Sequence, residues 1–465
     1  MLKSPASFQF SVMHDSPNLV SRIQRIPLSD TLQAAAQAVQ QVVAGRSLSD
    51  SIADLPAGIR ASAQAISFHT MRQLGLAREL QSMMVPRPPS EPLLQALLLV
   101  SLALLETAVQ AAEKPSSSVG HERGLPVYAA HTVVNQAVTA AAANRRTRAG
   151  KSLLNACLRR YLRERATLLA QAKANPEAVY NHPRWWIDQV RQAYPQHWQA
   201  LLEAANVPGP MVLRVNRRRA HVPQVRQALL SAGCPARAVG ADALVLQDPR
   251  PVYDLPGFDE GWWSVQDLSA QQAASLLPLH DGMRVLDACA APGGKTAHIL
   301  ERAQVSMLAL DADEKRLVRV EQNLKRLGLD GPQVKLIGAN AADVASWWDG
   351  IPFDAILADV PCTASGVVRR HPDIRWLRRY DDIEKTAVLQ QTIVDALWST
   401  LKPGGHLLYA TCSIFPRECE VQAQSFVLRH ADARRLPAPG QLLPLAEPGL
   451  PVGDGFFYAL FVKQA

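Results

Sequence analysis

Short β-like runs alternate with helical stretches throughout the second half of the chain, from about Gly257 onward. In chain order these runs are MRVLDA, SMLALD, QVKLI, FDAILAD, HLLYAT and FFYALFVK. Such alternation predicts a doubly wound α/β fold around a parallel sheet, with the last strand antiparallel at an edge. Ligands of such folds bind at the carboxyl ends of the strands, so we expect the functional residues to follow the strands directly.

The first half of the chain has a helical pattern. From Thr31 to about Gln171, apolar residues recur every three or four positions, which predicts an all-α domain. The expected helices are 31–44, 58–81, 93–112, 131–143 and 152–173. The longest apolar run, 93–105, is shorter than the roughly 20 residues that span a bilayer, so we expect a buried helix and no membrane partner.

A third unit is predicted between these two parts. The β-like runs MVLRVN (211–216) and ALVLQD (243–248) flank a helical stretch, 222–232, which gives a β-α-β unit. The unit resembles part of an RNA-recognition fold but lacks the aromatic residues that stack on bases in that module. We therefore interpret it as a small α/β linker domain first and as an RNA-binding module second.

A length of 465 residues is enough for about three domains of roughly 150 residues each. We expect a flexible N-terminus (1–26), a helical domain (27–175), the linker domain (176–256) and a C-terminal α/β domain (257–465).

Residues 1–255 carry 28 basic and 16 acidic side chains, whereas the rest of the chain carries 21 basic and 25 acidic side chains, so the basic excess belongs to the first half. This asymmetry favours a module that meets a polyanion, although a solvated surface without a partner remains an equal alternative.

The loop CAAPGGKT follows the first strand of the C-terminal domain. Its small residues let backbone amides approach a ligand closely beside the positive end of the next helix. The residues that we expect to form this cofactor loop are Cys289, Ala290, Ala291, Pro292, Gly293, Gly294 and Lys295. Asp311 ends the second strand, where an acid can accept hydrogen bonds from ribose hydroxyls, so the loop and Asp311 together favour a nucleoside-bearing cofactor.

Two further strands end in DVPC and ATCS, which contain Asp359, Cys362 and Cys412. Neighbouring parallel strands bring their carboxyl ends together, so a carboxylate and two thiols are expected to line one cleft. The spacing of the cysteines does not match a zinc site, and we expect no metal. Six cysteines in so long a chain indicate reduced thiols and a cytoplasmic protein rather than a disulfide framework.

The motifs CAAPGGKT, LALDADEKRL, DVPCTASGVVRRHPDIRW and YATCSIFPRECE resemble the successive motifs of the Nop/Sun family of S-adenosylmethionine-dependent RNA cytosine-5 methyltransferases. The helical region, with HTVVNQAV and SLLNACLRR, resembles the domain related to the antitermination factor NusB that marks members acting on bacterial 16S ribosomal RNA. The resemblance covers nearly the whole chain from Thr31. It implies an all-α NusB-like domain, a small α/β linker domain and a Rossmann-like methyltransferase domain.

The family also implies roles for individual residues. Cys412 would be the nucleophile that adds to carbon 6 of cytosine, and Cys362 would assist release of the methylated product. Asp359 would hold the base edge and also border the cofactor, S-adenosylmethionine. The loop 289–295 would hold the methionine moiety and Asp311 the ribose, while Asn340 stands where the family usually has an acid near the adenine. Asp343 is a weaker substitute for that acid.

The basic residues that we expect to contact RNA phosphates lie in two places. They are Arg145, Arg146 and Arg148 in the helical domain, and Arg369 and Arg370 beside the PC motif. The expected activity is formation of 5-methylcytosine in 16S ribosomal RNA by a cytoplasmic enzyme that is a monomer. Two alternatives stay open: methylation of transfer RNA instead, and a non-enzymatic RNA-binding or antitermination-like protein that retains an inactive cofactor domain.

Overall fold

The computed structural model describes residues 26–113, 125–445 and 453–465, so the N-terminal segment that we expect to be flexible lies outside the described residues apart from Ile26. Helices α1 to α7 pack around one apolar core and form the N-terminal domain. They are α1 (Leu28–Val43), α2 (Leu48–Ala53), α3 (Ala57–Arg72), α4 (Leu74–Met84), α5 (Pro92–Glu113), α6 (Ala130–Ala143) and α7 (Lys151–Ala172). The prediction of an all-α region is confirmed.

One predicted helix, 58–81, is two helices in the structure. Gln73 leaves helical geometry with φ of −110° and ψ of 7°, and it separates α3 from α4. A β-carbon on Gly75 would lie 2.1 Å from the carbonyl oxygen of Glu177, so only glycine allows α4 to pack this closely against the backbone at Glu177. The break therefore follows from tertiary packing, which helical periodicity does not encode.

Helix α5 is the most apolar element of the structure. Its 22 residues make it long and apolar enough to cross a membrane by length and composition alone. However, 83% of its most apolar 18-residue stretch is buried inside the N-terminal domain. The burial predicted for this helix is therefore confirmed.

Three short helices connect the N-terminal domain to a small antiparallel sheet; they are α8 (Pro176–Tyr180), α9 (Arg184–Ala193) and α10 (Trp198–Ala204). The sheet has the order β2-β3-β1-β4, with α11 (Val222–Ser231) connecting β1 to β2. Its strands are β1 (Val212–Val215), β2 (Ala236–Val239), β3 (Ala243–Leu246) and β4 (Trp263–Val265). The predicted β-α-β elements are present, and β4 extends this sheet past the boundary expected at residue 256.

The C-terminal domain is built on a seven-stranded sheet of order β10-β11-β9-β8-β5-β6-β7. Its strands are β5 (Arg284–Asp287), β6 (Ser306–Asp311), β7 (Val334–Gly338), β8 (Phe353–Asp359), β9 (Leu401–Thr411), β10 (Ala433–Leu442) and β11 (Phe456–Lys463). The five strands β5 to β9 are parallel, whereas β11 runs antiparallel to both of its neighbours. The antiparallel last strand is confirmed, but its predicted edge position is wrong because β10 pairs with its outer side.

Helices cover both faces of this sheet, and each face has its own apolar core. The helices are α12 (Leu268–Leu276), α13 (Gly294–Arg302), α14 (Glu314–Leu327), α15 (Ile374–Leu377), α16 (Asp382–Ser399) and α17 (Glu420–Arg429). The prediction of a doubly wound α/β domain is confirmed. The carboxyl ends of β5, β6, β8 and β9 therefore face one common edge.

The segment between the PC motif and α16 attaches the N-terminal domain to this sheet. Oδ2 of Asp373 accepts a hydrogen bond from the amide of Leu48 at 2.8 Å, and the indole of Trp376 donates to the carbonyl of Met71 at 2.8 Å. Arg375 is fully buried and donates to three backbone or amide oxygens of the α8–α10 connection, at Asn181, Ala205 and Asn206. Packing thus makes this segment an inter-domain connector.

A buried ion pair joins the small sheet to the C-terminal domain. Nη2 of Arg214 on β1 lies 2.7 Å from Oε1 of Glu301 on α13, and the two side chains are 0% and 2% exposed. Replacing Arg214 by Met leaves a buried carboxylate without its counter-charge, so we expect the free energy of unfolding to fall by about 3–5 kcal/mol. Urea denaturation measures the change.

The control is the double variant Arg214→Met/Glu301→Leu, which removes both charges and should recover most of the stability that the single variant loses. Equal losses in the single and double variants would contradict the ion-pair interpretation.

Candidate active site

The loop after β5 turns sharply into α13. Gly293 has a positive φ of 94°, and α13 begins at the next residue, Gly294. A β-carbon on Gly293 would lie 2.9 Å from Cγ1 of Val320, so a larger residue would be strained both in its backbone and in its packing. The predicted cofactor loop, 289–295, therefore lies against α14 and leads into the positive end of the α13 dipole.

The carboxylate that ends β5 is buried and only half satisfied. Oδ2 of Asp287 accepts a hydrogen bond from the hydroxyl of Thr296 at 2.6 Å, whereas Oδ1 has no partner among the described residues. Burial raises the pKa of Asp287 to about 7, although the hydrogen bond from Thr296 opposes the shift. A buried oxygen without a partner beside the loop fits a ligand that carries a hydrogen-bond donor.

Asp311 ends β6 and contacts the same loop. Its Oδ2 accepts a hydrogen bond from the amide of Ala291 at 3.0 Å, and its Oδ1 accepts one from the amide of Asp313 at 3.0 Å. Arg316 reinforces this contact because it donates to the carbonyl of Ala291 at 2.8 Å. A carboxylate has about four acceptor positions, so Asp311 can orient the loop and still accept a hydrogen bond from a ligand.

Asn340 follows β7, the strand next to β6. Its side-chain oxygen accepts a hydrogen bond from the amide of Ala342 at 3.1 Å, which closes a local turn. Both Asn340 and Asp343 are exposed. The sheet thus places Asn340 at a strand end adjacent to that of Asp311, as its position after the third strand predicts.

The two predicted thiols meet at the ends of β8 and β9. The Sγ atoms of Cys362 and Cys412 are 3.4 Å apart, and both cysteines are free and half-buried. The hydrogen bond with Cys412, together with burial, raises the pKa of Cys362 well above its usual value. Cys362 therefore keeps its proton at neutral pH. In the part of the chain that the structure describes, no three potential metal ligands cluster together.

A lysine and a carboxylate lie beside these thiols. Nζ of Lys295 is 2.6 Å from Oδ2 of Asp359, and it is 5.1 Å from the centre of the Phe456 ring. Burial disfavours the charge on Lys295, but the attraction of Asp359 outweighs it and raises the pKa of the ammonium. Lys295 was predicted only as part of the cofactor loop. In the structure its ammonium also contacts Asp359 and orients that carboxylate.

Glu418 connects the two cysteine loops and was not predicted from the sequence. Its fully buried carboxylate accepts hydrogen bonds from the amide and hydroxyl of Thr363, next to Cys362, at 2.7 and 2.5 Å. It also accepts one from the hydroxyl of Ser413, next to Cys412, at 2.6 Å, and one from Thr386 on α16 at 2.6 Å. An acid six residues after Cys412 was the available signal, but the sequence does not indicate that this acid is buried.

The same loops also pack backbone to backbone. The amide of Gly366 donates to the carbonyl of Cys412 at 2.8 Å, and the amide of Gly455 donates to the carbonyl of Gly366 at 2.9 Å. A β-carbon on Gly366 would lie 2.1 Å from the carbonyl oxygen of Gly455. The loop after β8, the loop after β9 and the segment before β11 therefore hold one another in place.

Arg369 and Arg370 were predicted to contact RNA phosphates, but in the structure they contact carboxylates of the protein. Both guanidinium groups hydrogen-bond to Asp454, and Nη2 of Arg370 also lies 2.7 Å from Oδ2 of Asp267. Arg369 is buried and Arg370 is half-buried. The phosphate role predicted for this pair is corrected, because carboxylates already neutralise the two cations inside the protein.

The other predicted phosphate contacts lie between α6 and α7. Arg145, Arg146 and Arg148 are exposed. Arg146 pairs with Glu91 at 2.7 Å, and Nε of Arg148 donates to the carbonyl of Ala142 at 3.0 Å. The structure thus leaves these three arginines on the surface of the helical domain.

Comparison with known proteins adds independent information. The family model described as 16S rRNA methyltransferase RsmB/F matches residues 274–462, and the model for the RsmF/B-like ferredoxin-like domain matches residues 182–253. Ribosomal RNA small subunit methyltransferase B of Vibrio cholerae is 42% identical over 443 residues, which are 93% of this chain and 97% of that protein.

Solved structures show the same architecture. The crystal structure of PH0851 matches with a TM-score of 0.72 and 25% identity, over 94% of this chain and 99% of that one. NSun6 from Pyrococcus horikoshii, solved with the S-adenosylmethionine analogue SFG, shares the fold with a TM-score of 0.52 and 21% identity, over 61% of this chain and 98% of that one.

A sheet of this order, with a glycine-rich loop and carboxylates at its strand ends, is typical of S-adenosylmethionine-dependent methyltransferases, and the chain is one of that class. The similarity over nearly its whole length is more specific. The chain belongs to the RsmB/F family of 16S ribosomal RNA methyltransferases.

We expect Glu418→Gln to loosen both cysteine loops. An amide replaces one acceptor oxygen by a donor that faces the donors of Thr363, Ser413 or Thr386, which should cost about 1–3 kcal/mol of unfolding free energy. Urea denaturation checks the stability, and cross-linking by a dithiol-specific arsenical checks whether the two thiols stay adjacent. The control is Glu420→Gln, whose partner Arg435 lies 2.6 Å away in a partly exposed pair. Equal effects at both positions would contradict the special role of Glu418.

The buried carboxyl of Asp287 should make stability depend on pH. Its folded pKa, about 7, lies above the ordinary aspartate pKa of 3.8, so the folded state binds more protons than the unfolded state between these values. The contribution of Asp287 to the unfolding free energy therefore falls as the pH rises from about 4 to about 7. Asp287→Asn should flatten this part of the profile of unfolding free energy against pH. An unchanged profile would show that Asp287 titrates normally.

Proposed function

We propose that the protein transfers a methyl group from S-adenosylmethionine to carbon 5 of a cytosine in 16S ribosomal RNA, through a covalent bond between Cys412 and carbon 6. The observation that carries the proposal is the 3.4 Å approach of two free thiols beside the Lys295–Asp359 pair. Two adjacent thiols at the carboxyl edge of a methyltransferase sheet match the chemical need of this reaction, because carbon 5 of cytosine is a poor nucleophile until carbon 6 has been attacked.

The residues at the strand ends fit S-adenosylmethionine. The loop 289–295 would hold the methionine moiety beside the N-terminus of α13, and the free Oδ1 of Asp287 is available to a donor there. Asp311 would accept hydrogen bonds from the ribose, and Asn340 would replace the usual acid near the adenine. When bound, S-adenosylmethionine supplies an electrophilic methyl group on a sulfonium.

The two thiols have different roles in this proposal. Cys412 attacks carbon 6, and the π electrons of the 5,6 double bond shift onto carbon 5 and, through carbon 4, onto ring nitrogen 3, so carbon 5 becomes nucleophilic. The raised pKa of Cys362 supports this division, because a thiol that keeps its proton is a poor nucleophile. Lys295, which stays an ammonium, places a positive charge near the attacking sulfur.

Asp359 would hold the base edge at ring nitrogen 3 and the exocyclic amine. The Lys295 ammonium lies 2.6 Å from this carboxylate and fixes it in one orientation. Asp359 would therefore present a preoriented negative charge to the base. After methyl transfer, carbon 5 carries both the methyl group and the original proton. Loss of that proton restores the 5,6 double bond and expels the Cys412 thiolate, a step that Cys362 would assist.

The N-terminal domain would contribute RNA binding. Its resemblance to NusB-like domains and its exposed arginines, Arg145, Arg146 and Arg148, support a contact with RNA phosphates. The small sheet would position the RNA between this domain and the active site. We expect a monomer that works in the cytoplasm, where its RNA substrate is made.

The proposal is tested by incubating the protein with labelled S-adenosylmethionine and a mixture of bare 16S ribosomal RNA and transfer RNA, and by mapping the methylated base afterwards. We expect label at carbon 5 of one cytosine, no turnover by Cys412→Ala, and accumulation of a protein–RNA adduct by Cys362→Ala. The matched control is Cys419→Ala, because Cys419 is a buried thiol outside the Cys362–Cys412 pair. Label confined to transfer RNA would contradict the substrate, and an active Cys412→Ala variant would contradict the mechanism.

A further inference from the structure

A wide groove lies between the small sheet and the C-terminal domain. It encloses about 970 Å³ and is bordered by α12, α13 and the β2–β3 turn. Apolar side chains form the larger part of its walls, and polar or basic side chains line it at His197, Arg217, Gln272, His298, Arg302 and Gln441. Apolar walls that also carry two arginines and several neutral donors suit a nucleic acid strand, whose bases have apolar faces and whose phosphates are anionic.

Helix α13 connects this groove to the active site. Lys295 lies in the first turn of the helix and contacts Asp359, and His298 and Arg302 follow at positions i+3 and i+7. Residues at this spacing lie on one face of a helix, and seven residues rise by about 10 Å. Arg302 in the groove is therefore separated from Lys295 in the active site by about 10 Å along α13.

His298 is buried but has no hydrogen-bond partner. It is 3% exposed, and neither Nδ1 nor Nε2 contacts a polar atom of the described residues. Burial, followed by the charges of Arg214, Arg302 and Arg217, lowers the pKa of His298 to about 2. The ring is therefore neutral, with one donor and one acceptor unused, and the surrounding arginines make its environment positive.

Arg302 supplies the unneutralised charge of the groove. Its side chain is exposed in the last turn of α13, and no carboxylate within the described ranges pairs with it. By contrast, Arg217 already pairs with Asp242 on the opposite wall. Gln272 on α12 also lines the groove. It is half-buried, and its side-chain amide has no hydrogen-bond partner in the described part of the chain.

We propose that this groove binds the RNA strand next to the target cytosine, with Arg302 on a phosphate and His298 and Gln272 on neighbouring polar groups of the nucleotide. This site rests on the proposed function, because it assumes that the substrate in the active site is RNA. A ribose hydroxyl or a base edge offers both a donor and an acceptor, so it can pair with the unused acceptor and donor of a neutral His298. The groove would then fix which nucleotide reaches Cys412.

Salt-dependent RNA binding tests this site without methyl transfer. The affinity of a labelled 16S RNA fragment is measured by fluorescence anisotropy at several salt concentrations. Loss of one phosphate contact lowers the slope of log affinity against log salt by about 0.7 for a single strand. We expect Arg302→Gln to lower the slope by this amount and to weaken binding by about fivefold at 0.1 M salt.

Gln272→Lys is the complementary variant, because it adds a cation to the groove and should increase the slope. The control is Arg319→Gln, since Arg319 is exposed on α14 and lies outside the groove. Equal slopes for Arg302→Gln and Arg319→Gln would overturn the proposal, as would a Gln272→Lys slope no steeper than that of the wild type.

Methylation by the wild type, measured in parallel, separates the two proposals. If the wild type methylates 16S RNA while Arg302→Gln binds with an unchanged slope, the groove is refuted and the proposed function stands. If the slope depends on Arg302 but no methyl transfer occurs, the groove stands and the proposed function is refuted.

Discussion

The active site depends on one buried carboxylate. Glu418 accepts hydrogen bonds from the residue after Cys362, the residue after Cys412 and a helix beside them. A buried charge is costly unless every lone pair has a donor, so these contacts favour a single arrangement of the two loops. The 3.4 Å distance between the thiols is a consequence of that arrangement. Lys295 and Asp359 add a charged pair beside the thiols.

The domains of the chain are connected through the segment that follows Cys362. Asp373, Arg375 and Trp376 bind the N-terminal helices and the connection between α8 and α10, while Arg369 and Arg370 bind Asp454 beside β11. Residues that resemble a basic RNA-binding loop in sequence thus hold the domains together. The active-site loops are therefore attached directly to the N-terminal domain.

Secondary-structure elements whose signals are local could be predicted from the sequence. Helix α14 has such signals at both of its ends, because Asp313 caps its first turn and Gly328 ends it with a positive φ of 67°. Strand β10 was not predicted, since it contains Pro437 and Pro439, which a sheet tolerates at an edge. The convergence of the thiols followed from strand order alone. The roles of Glu418 and of Arg369 did not, because burial and ion pairing depend on residues distant in the sequence.

The central claim is that Cys412, and not Cys362, bonds to the cytosine. The most direct measurement uses 16S RNA in which cytosine is replaced by 5-fluorocytosine, because fluorine at carbon 5 cannot leave as a proton does and the covalent adduct persists. The adduct is digested and the modified peptide is identified by mass spectrometry. The account predicts that the nucleotide is attached to the peptide containing Cys412. Attachment to the peptide containing Cys362 would contradict it.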